Sequence, residues 1–315
     1  KRECIMNLKL LHIFLLSTAG TFLLCTPFIN TVELANGLVT GKMCWFHLAM
    51  LFFSVCVFFV MLTKKGTVIA FTFSDPLVLF FAGGVLITYK WNLNPEPEKL
   101  IFAGQLVILW FLLRYVLTAY REFKFFFLFV LMFTGLIEAV WGMQQLHGYS
   151  HSNHSLFRLT GSFFNPGPYS GYIAVILPVC LWTALRFQKG MHYFAWICVG
   201  AILIVLPAGM SRSAWIAAVV ACGWVYWTER IGWEKTKAVY RRYKNATIPF
   251  VAIVAILAGC AIAGGYGMKR DSADGRLLMW KVTGKAILGQ PLAGTGLGLS
   301  LIHISEPTRQ AEISY

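Results

Sequence analysis

The chain has 315 residues, of which 58% are hydrophobic and only 13% charged. A water-soluble domain cannot bury that much apolar surface, so the composition excludes a soluble globular fold and makes lipid part of the solvent. The formal net charge of +14 invites a nucleic-acid partner, but cations beside apolar segments face anionic leaflet lipid instead, and no nucleic-acid partner is expected.

Nine apolar segments follow one another, at about 10–29, 43–62, 68–90, 100–119, 125–143, 168–187, 191–208, 213–228 and 247–265. A hydrocarbon core about 30 Å thick takes roughly 20 helical residues. Each segment must be helical, because an unpaired backbone amide in lipid costs several kcal/mol and a helix satisfies its own. Alternating strands of a membrane barrel are not seen. The expected fold is therefore all-α: a polytopic transmembrane bundle over 1–265, then a partly helical outer segment at 266–299. Ser74-Asp75-Pro76 interrupts the third segment, and the eighth is the shortest. No internal repeat is visible, so the inverted-repeat signature of many transporters is missing.

The basic residues set the expected orientation. Lys1, Arg2 and Lys9, then Lys64 and Lys65, Arg121 and Lys124, Arg186 and Lys189, and finally Arg230, Lys235, Lys237, Arg241, Arg242 and Lys244 fall on one side. The intervening short loops hold only Lys42, Lys90, Lys99, Arg158 and Arg212. A cytoplasmic N-terminus and an outer location for the chain after residue 265 follow. The eight cysteines lie in or beside spans with no CxxC or Cys/His ligand spacing. They read as packing residues, not as a disulfide framework or a zinc site. At the ends, Met6 before Asn-Leu-Lys and an apolar run reads as a true start. Residues 300–315 resemble translated sequencing-adapter DNA, so a non-native tail is expected there and the natural chain is expected to continue past residue 299.

Polar residues of the outer side gather in three places. The first is 146–167, with His147, His151, His154, Arg158, Thr160 and Asn165, whose Gly and Pro residues mark tight turns. Ser150, Ser152 and Asn153 argue against a helix there, so the three histidines are not expected to form a metal site. The second is the turn Gly209-Met210-Ser211-Arg212-Ser213. The third is 266–299, where Arg276 opens an amphipathic stretch with Leu277, Leu278 and Trp280. Arg212 and Arg158 each have two readings: a snorkelling helix-end cation on lipid phosphates, or a planar five-donor clamp for a pyrophosphate. For Arg276 a solvated helix-start charge is the favoured reading. Glu138 lies inside the fifth span, where a carboxylate is expensive; it is either a functional group or a hydrogen-bonded packing residue. Gly294, Gly296 and Gly298 lack the preceding strand that a dinucleotide fingerprint needs.

In this order, Arg158-Leu-Thr-Gly-Ser-Phe-Phe-Asn-Pro-Gly-Pro, Ser211-Arg212-Ser213-Ala214-Trp215, and Gly275-Arg276-Leu-Leu-Met-Trp280 running to Gln290-Pro291-Leu-Ala-Gly-Thr-Gly-Leu-Gly298 resemble the O-antigen ligase and O-antigen polymerase family. The resemblance covers about residues 150–299; the N-terminal half matches in hydropathy alone. It implies a bacterial inner-membrane enzyme with a periplasmic active face. Such an enzyme moves a glycan from an undecaprenyl-pyrophosphate carrier to lipid A–core, a growing chain or another acceptor. The donor already carries a good leaving group, so no nucleotide sugar is needed, and fixed arginines replace a metal. By the resemblance, donor-phosphate contacts fall on Arg158 and Arg212, and Arg276 opens the segment that shapes the glycan site. Glu138 and Asn165 join the candidate substrate-binding set. The family's general-base histidine is expected beyond residue 299, so the stretch given is expected to be inactive by itself. The competing readings are a transporter or flippase of lipid-linked glycans, and a non-catalytic membrane subunit of envelope assembly.

Overall fold

A computed structural model describes residues 2–31, 37–64, 66, 67, 69, 71–90, 97–242 and 270–289. The ninth apolar segment, the Gly294–Gly298 run and residues 300–315 lie outside the described residues. Every regular element among the described residues is helical: α1 Arg2–Leu24, α2 Gly37–Thr63, α3 Ser74–Lys90, α4 Pro97–Ala119, α5 Arg121–His147, α6 Pro166–Arg186, α7 Gly190–Val205, α8 Arg212–Tyr226, α9 Gly232–Arg242 and α10 Arg270–Gly289. Two 3-10 turns, Thr26–Phe28 and Pro207–Gly209, and a π turn at Trp227–Ile231 connect or extend them.

Six helical stretches are long and apolar enough to cross a membrane: Met6–Leu24, Gly37–Thr63, Pro97–Ala119, Glu122–His147, Pro166–Arg186 and Gly190–Gly209. They coincide with the first, second, fourth, fifth, sixth and seventh apolar segments. The third and eighth segments form helices of 17 and 15 residues, about 25 and 22 Å long at 1.5 Å per residue. The third starts late because Asp75 ties down the preceding turn: its Oδ2 accepts from the Thr72 amide at 2.7 Å and its Oδ1 from Trp110 Nε1 at 3.0 Å. Pro76 then sits in the first helical turn, where no intrahelical donor is lost.

The chain divides into two compact units, residues 1–69 with 111–237, and 70–110 with the chain from 238. Within the first, α6 packs against α5, α7 and α8, while α1 packs against α2 and α5. The core of this unit joins Met132, Ala139, Tyr169, Ile173, Ile176, Cys180, Cys198, Ile202 and Ala218. Helices in lipid gain little from apolar burial itself, since the lipid is as apolar as they are, and rely on close packing through small residues. Gly135 lets Ile176 approach so closely that an added Cβ would lie 2.8 Å from its Cγ2. The outward faces carry large apolar side chains in the open, such as Phe14, Leu48, Phe58, Ile197, Leu203 and Val219, the surface expected of lipid-facing helices.

At one end of this unit the contacts gather the basic residues. Lys9 pairs with Glu122 at 2.7 Å, Lys64 donates to the Ala119 carbonyl and lies 3.9 Å over the Tyr120 ring, Lys124 sits over Trp182, and Arg186 lies 3.7 Å from Glu229. His12 is buried beneath them. Its Nε2 meets the Thr63 hydroxyl at 2.7 Å while that hydroxyl donates to the Phe59 carbonyl. Nε2 therefore carries the proton, and Nδ1 accepts from the Tyr120 hydroxyl. Burial lowers the Lys64 ammonium pKa, partly offset by Glu122, and raises that of the Tyr120 phenol.

Gly142 faces the Tyr169 hydroxyl and Leu159, and a Cβ there would collide with both. Replacing Gly142 by Val is expected to lower stability by about 1–3 kcal/mol through overpacking. Thermal unfolding of the purified protein in detergent checks this; an unchanged midpoint would show that α5 and α6 are not held so closely.

Candidate functional site

The 148–165 loop is built on a polar stripe along α5. Thr134, Glu138 and Gln145 are buried in an otherwise apolar helix, and spacings of four and seven put them on one face. Gln145 reads the loop backbone like a template. Its Oε1 accepts from the Thr160 and Gly161 amides at 2.9 and 2.7 Å, and its Nε2 donates to the carbonyls of His151 and Gly161 at 2.9 and 3.1 Å. Each amide satisfied in this way removes an orphan donor that would otherwise cost about 1–3 kcal/mol when buried.

Two turns away along α5, Glu138 is fully buried. One carboxylate oxygen accepts from the Ser162 amide at 3.1 Å and the other meets the Ser162 hydroxyl. The Ser162 hydroxyl also reaches the Pro27 carbonyl at 2.6 Å, and its own carbonyl accepts from Lys42 Nζ at 3.1 Å. Lys42 spends its remaining donors on the carbonyls of Pro27 and Ile29. Ser162 thus bridges a half-buried cation from α2 and a buried carboxyl group from α5, and the α1–α2 connection is pinned to the loop. Gly161 adopts φ +54°, a left-handed conformation that glycine takes without strain. Any Cβ there would also strike Glu138 and the Tyr169 ring. Tyr169 closes the arrangement by donating to the Glu138 carbonyl at 3.1 Å.

The candidate residues fall unequally around this frame. Arg158 is exposed on the loop. Asn165 caps α6, its Oδ1 accepting from the Gly167 amide at 2.9 Å, with Pro166 at the first helical position, as a capped N-terminus favours. Arg212 opens α8 and is half-buried. Ahead of it Met210 holds φ 49°, a left-handed conformation costing a non-glycine residue about 1–2 kcal/mol, and this kink sets the direction in which α8 leaves. Ser170, one turn into α6, reaches the Gly209 carbonyl at 3.3 Å. The start of α6 and the start of α8 therefore lie side by side, and the Arg158 loop and Arg212 share one end of the unit. Arg276 is a residue of α10, and its side chain lies outside the described residues. Glu138 turns inward and holds the loop from beneath, an arrangement that favours the packing reading of this carboxylate.

The loop is non-helical, with Ser152, Asn153 and Thr160 hydrogen-bonding one another. Its histidines are dispersed: His147 Nδ1 meets the Met143 carbonyl, and His154 accepts from the Leu156 amide and packs at a tilt of 54° against the Phe157 ring. Among the described residues no three His, Cys, Asp or Glu side chains gather as metal ligands would. Along α6, α7 and α8 lies an open apolar cleft of about 460 Å³, lined by Leu177, Leu181, Trp196, Leu203, Trp215 and Val219, several of them exposed at its mouth. Sequence reasoning passed over Lys42, Gln145 and Ser162. The available signal was the Glu138–Gln145 spacing of seven on an apolar helix, which marks a stripe that must meet polar partners.

No protein family, no curated protein and no solved structure matches this chain.

Replacing Glu138 by Leu removes the acceptor of the Ser162 amide and leaves that buried amide unpaired, while the Ser162 hydroxyl keeps the Pro27 carbonyl; the expected cost is about 1–3 kcal/mol. Glu138→Gln, which keeps one acceptor, should cost less. Limited proteolysis should cut the 148–165 loop faster in Glu138→Leu than in Glu138→Gln and the parent. Equal cutting rates in all three would mean that the loop does not depend on this carboxylate.

Proposed function

We propose that this chain is the membrane portion of a glycan transferase of the O-antigen ligase and polymerase type. It works at the periplasmic face of a bacterial inner membrane and takes its donor from an undecaprenyl-pyrophosphate carrier. The acceptor is lipid A–core, a growing chain or another glycan-bearing molecule. The observation that carries the reading is a juxtaposition. Arg212 stands one helical turn from Trp215, which lines the open apolar cleft along α6, α7 and α8, and the start of α8 lies beside the capped start of α6, where the Arg158 loop ends. A lipid-linked pyrophosphate has this same division, a long apolar chain joined to a doubly charged head.

The chemistry asked of these residues is modest. The anomeric carbon leaves a pyrophosphate, and the developing negative charge needs fixed donors close to the membrane surface. A guanidinium supplies a planar fork that stays charged and matches two phosphate oxygens at once. A half-buried position raises the worth of that charge relative to bulk water. Asn165 contributes by capping α6 and so holding the end of the Arg158 loop. Arg276 belongs to the outer segment that shapes the glycan site. The metal-free reading rests on the arginines alone. The ordered motifs set this above a flippase, for which polar groups lining a path through the spans would be needed.

In the full-length protein, Arg158→Ala and Arg212→Ala are each expected to reduce glycan transfer about 100-fold or more, the scale of losing one transition-state donor. Both variants should insert normally. Arg→Lys should rescue poorly, because a point charge does not reproduce the fork. The assay is glycan attachment in a strain lacking the protein, read by electrophoresis of extracted polysaccharide. Parental activity in both alanine variants would sink the clamp.

A further inference from the structure

We infer that the end of the first unit where α8 leaves, as far as Lys237 in the first turns of α9, is a docking surface for anionic phospholipid headgroups. Up to Tyr226, α8 is an apolar helix with Ile216, Val219, Val220 and Trp224 exposed. The chain then opens into the π turn Trp227–Ile231 and changes direction at Gly232, whose φ is +71°. Composition changes at the same point. In the first turns of α9, Trp233 and Lys237 lie one turn apart on one face, with Lys237 Nζ 5.5 Å over the Trp233 ring, and Glu234 and Lys235 follow Trp233 around the helix. Exposed tryptophan interleaved with lysine is the composition of a membrane interface.

The bend is built, and it is built from tryptophan. Trp224 and Trp227 pack at 5.1 Å between ring centroids, and Trp227 meets Trp233 edge-on at 6.2 Å. Trp227 Nε1 donates to Thr236 Oγ1 at 2.8 Å, which ties the π turn to α9. Trp224 and Trp233 remain largely exposed. Exposed indoles with polar N–H groups suit the headgroup level, where the ring meets apolar chains and the edge stays wet.

Charge at this end selects the headgroup. Arg186, Lys189 and Arg230 are partly or largely exposed, as are Lys235 and Lys237. The carboxylates nearby are already engaged: Glu229 with Trp182 and Arg186, and Glu234 with Lys237. Lys235 has one donor on the Arg230 carbonyl at 3.1 Å, which leaves donors for phosphate. The surplus of cations beside exposed tryptophans complements a negatively charged lipid surface.

The test uses the full chain in nanodiscs of mixed phosphatidylcholine and phosphatidylglycerol, with retained lipids counted by native mass spectrometry. The parent is expected to retain phosphatidylglycerol over phosphatidylcholine, and the preference should fall as salt rises. The triple variant Arg230→Gln, Lys235→Gln, Lys237→Gln should lose about tenfold of that preference, while Lys90→Gln, in the other unit, should keep it. Trp233→Ala should retain fewer lipids of both kinds. Equal retention of the two lipids by the parent, a salt-independent preference, or an unchanged preference in the triple variant would each overturn the assignment. These readouts involve neither Arg158 nor Arg212, so glycan transfer and lipid docking stand or fall separately.

Discussion

The loop end of the first unit depends on one serine that joins a half-buried lysine to a fully buried carboxyl group. Lys42 and Glu138 come from different helices, and Ser162 meets both, through its carbonyl and through its amide and hydroxyl. Either charge alone inside this packing would be very costly. Together, with every donor of the ammonium placed on a carbonyl, they form a joint with strict geometry. A joint of this kind contributes little net stability compared with apolar packing, but it admits few alternative arrangements, because each alternative leaves a charge unpaired.

That constraint propagates outward. With Ser162 fixed, Gly161 has to take a left-handed turn against Tyr169, and Gln145 aligns the two preceding residues. The loop from Gly148 to Asn165 then has both ends anchored on the bundle, and Arg158 is carried on a scaffold instead of a free segment. Asn165 hands the chain directly to α6, and Ser170 ties the top of α6 to the turn that launches Arg212. Short polar contacts thus tie α5 to the loop that carries Arg158, and α6 to the turn that precedes Arg212. A precise site for a charged ligand needs support of this kind, since a guanidinium displaced by an ångström loses its bidentate contact.

The opposite end is organised by different physics. There the contacts are ion pairs, cation–ring contacts and tryptophans, most of them exposed, and the buried His12 meets hydroxyls from α2 and the α4–α5 junction. One end of the bundle is shaped by hydrogen bonds that exclude alternatives, the other by charge and aromatic surface that accommodate a fluid partner.

Membrane-crossing helices were legible in the sequence because hydropathy is a local property: twenty apolar residues in a row need no partner to declare themselves. The helix character of α1, α2 and α4–α7 and the alternation of basic residues followed from that alone, as did the non-helical loop with its serines and asparagine. The late start of α3 was signalled by Ser74-Asp75-Pro76, although the partner that fixes Asp75, Trp110, lies 35 residues away and has no local mark. The Lys42–Ser162–Glu138 joint was illegible for the same reason. Its members are separated by 120 and 24 residues, and Lys42 read only as a stray charge on the sparsely basic side. By itself the sequence determined which segments prefer lipid, because that depends on the chain's own composition. Only the tertiary structure decided what the buried carboxyl group holds and that the start of α6 meets the turn before α8, because pairing between distant residues exists only once the helices have packed.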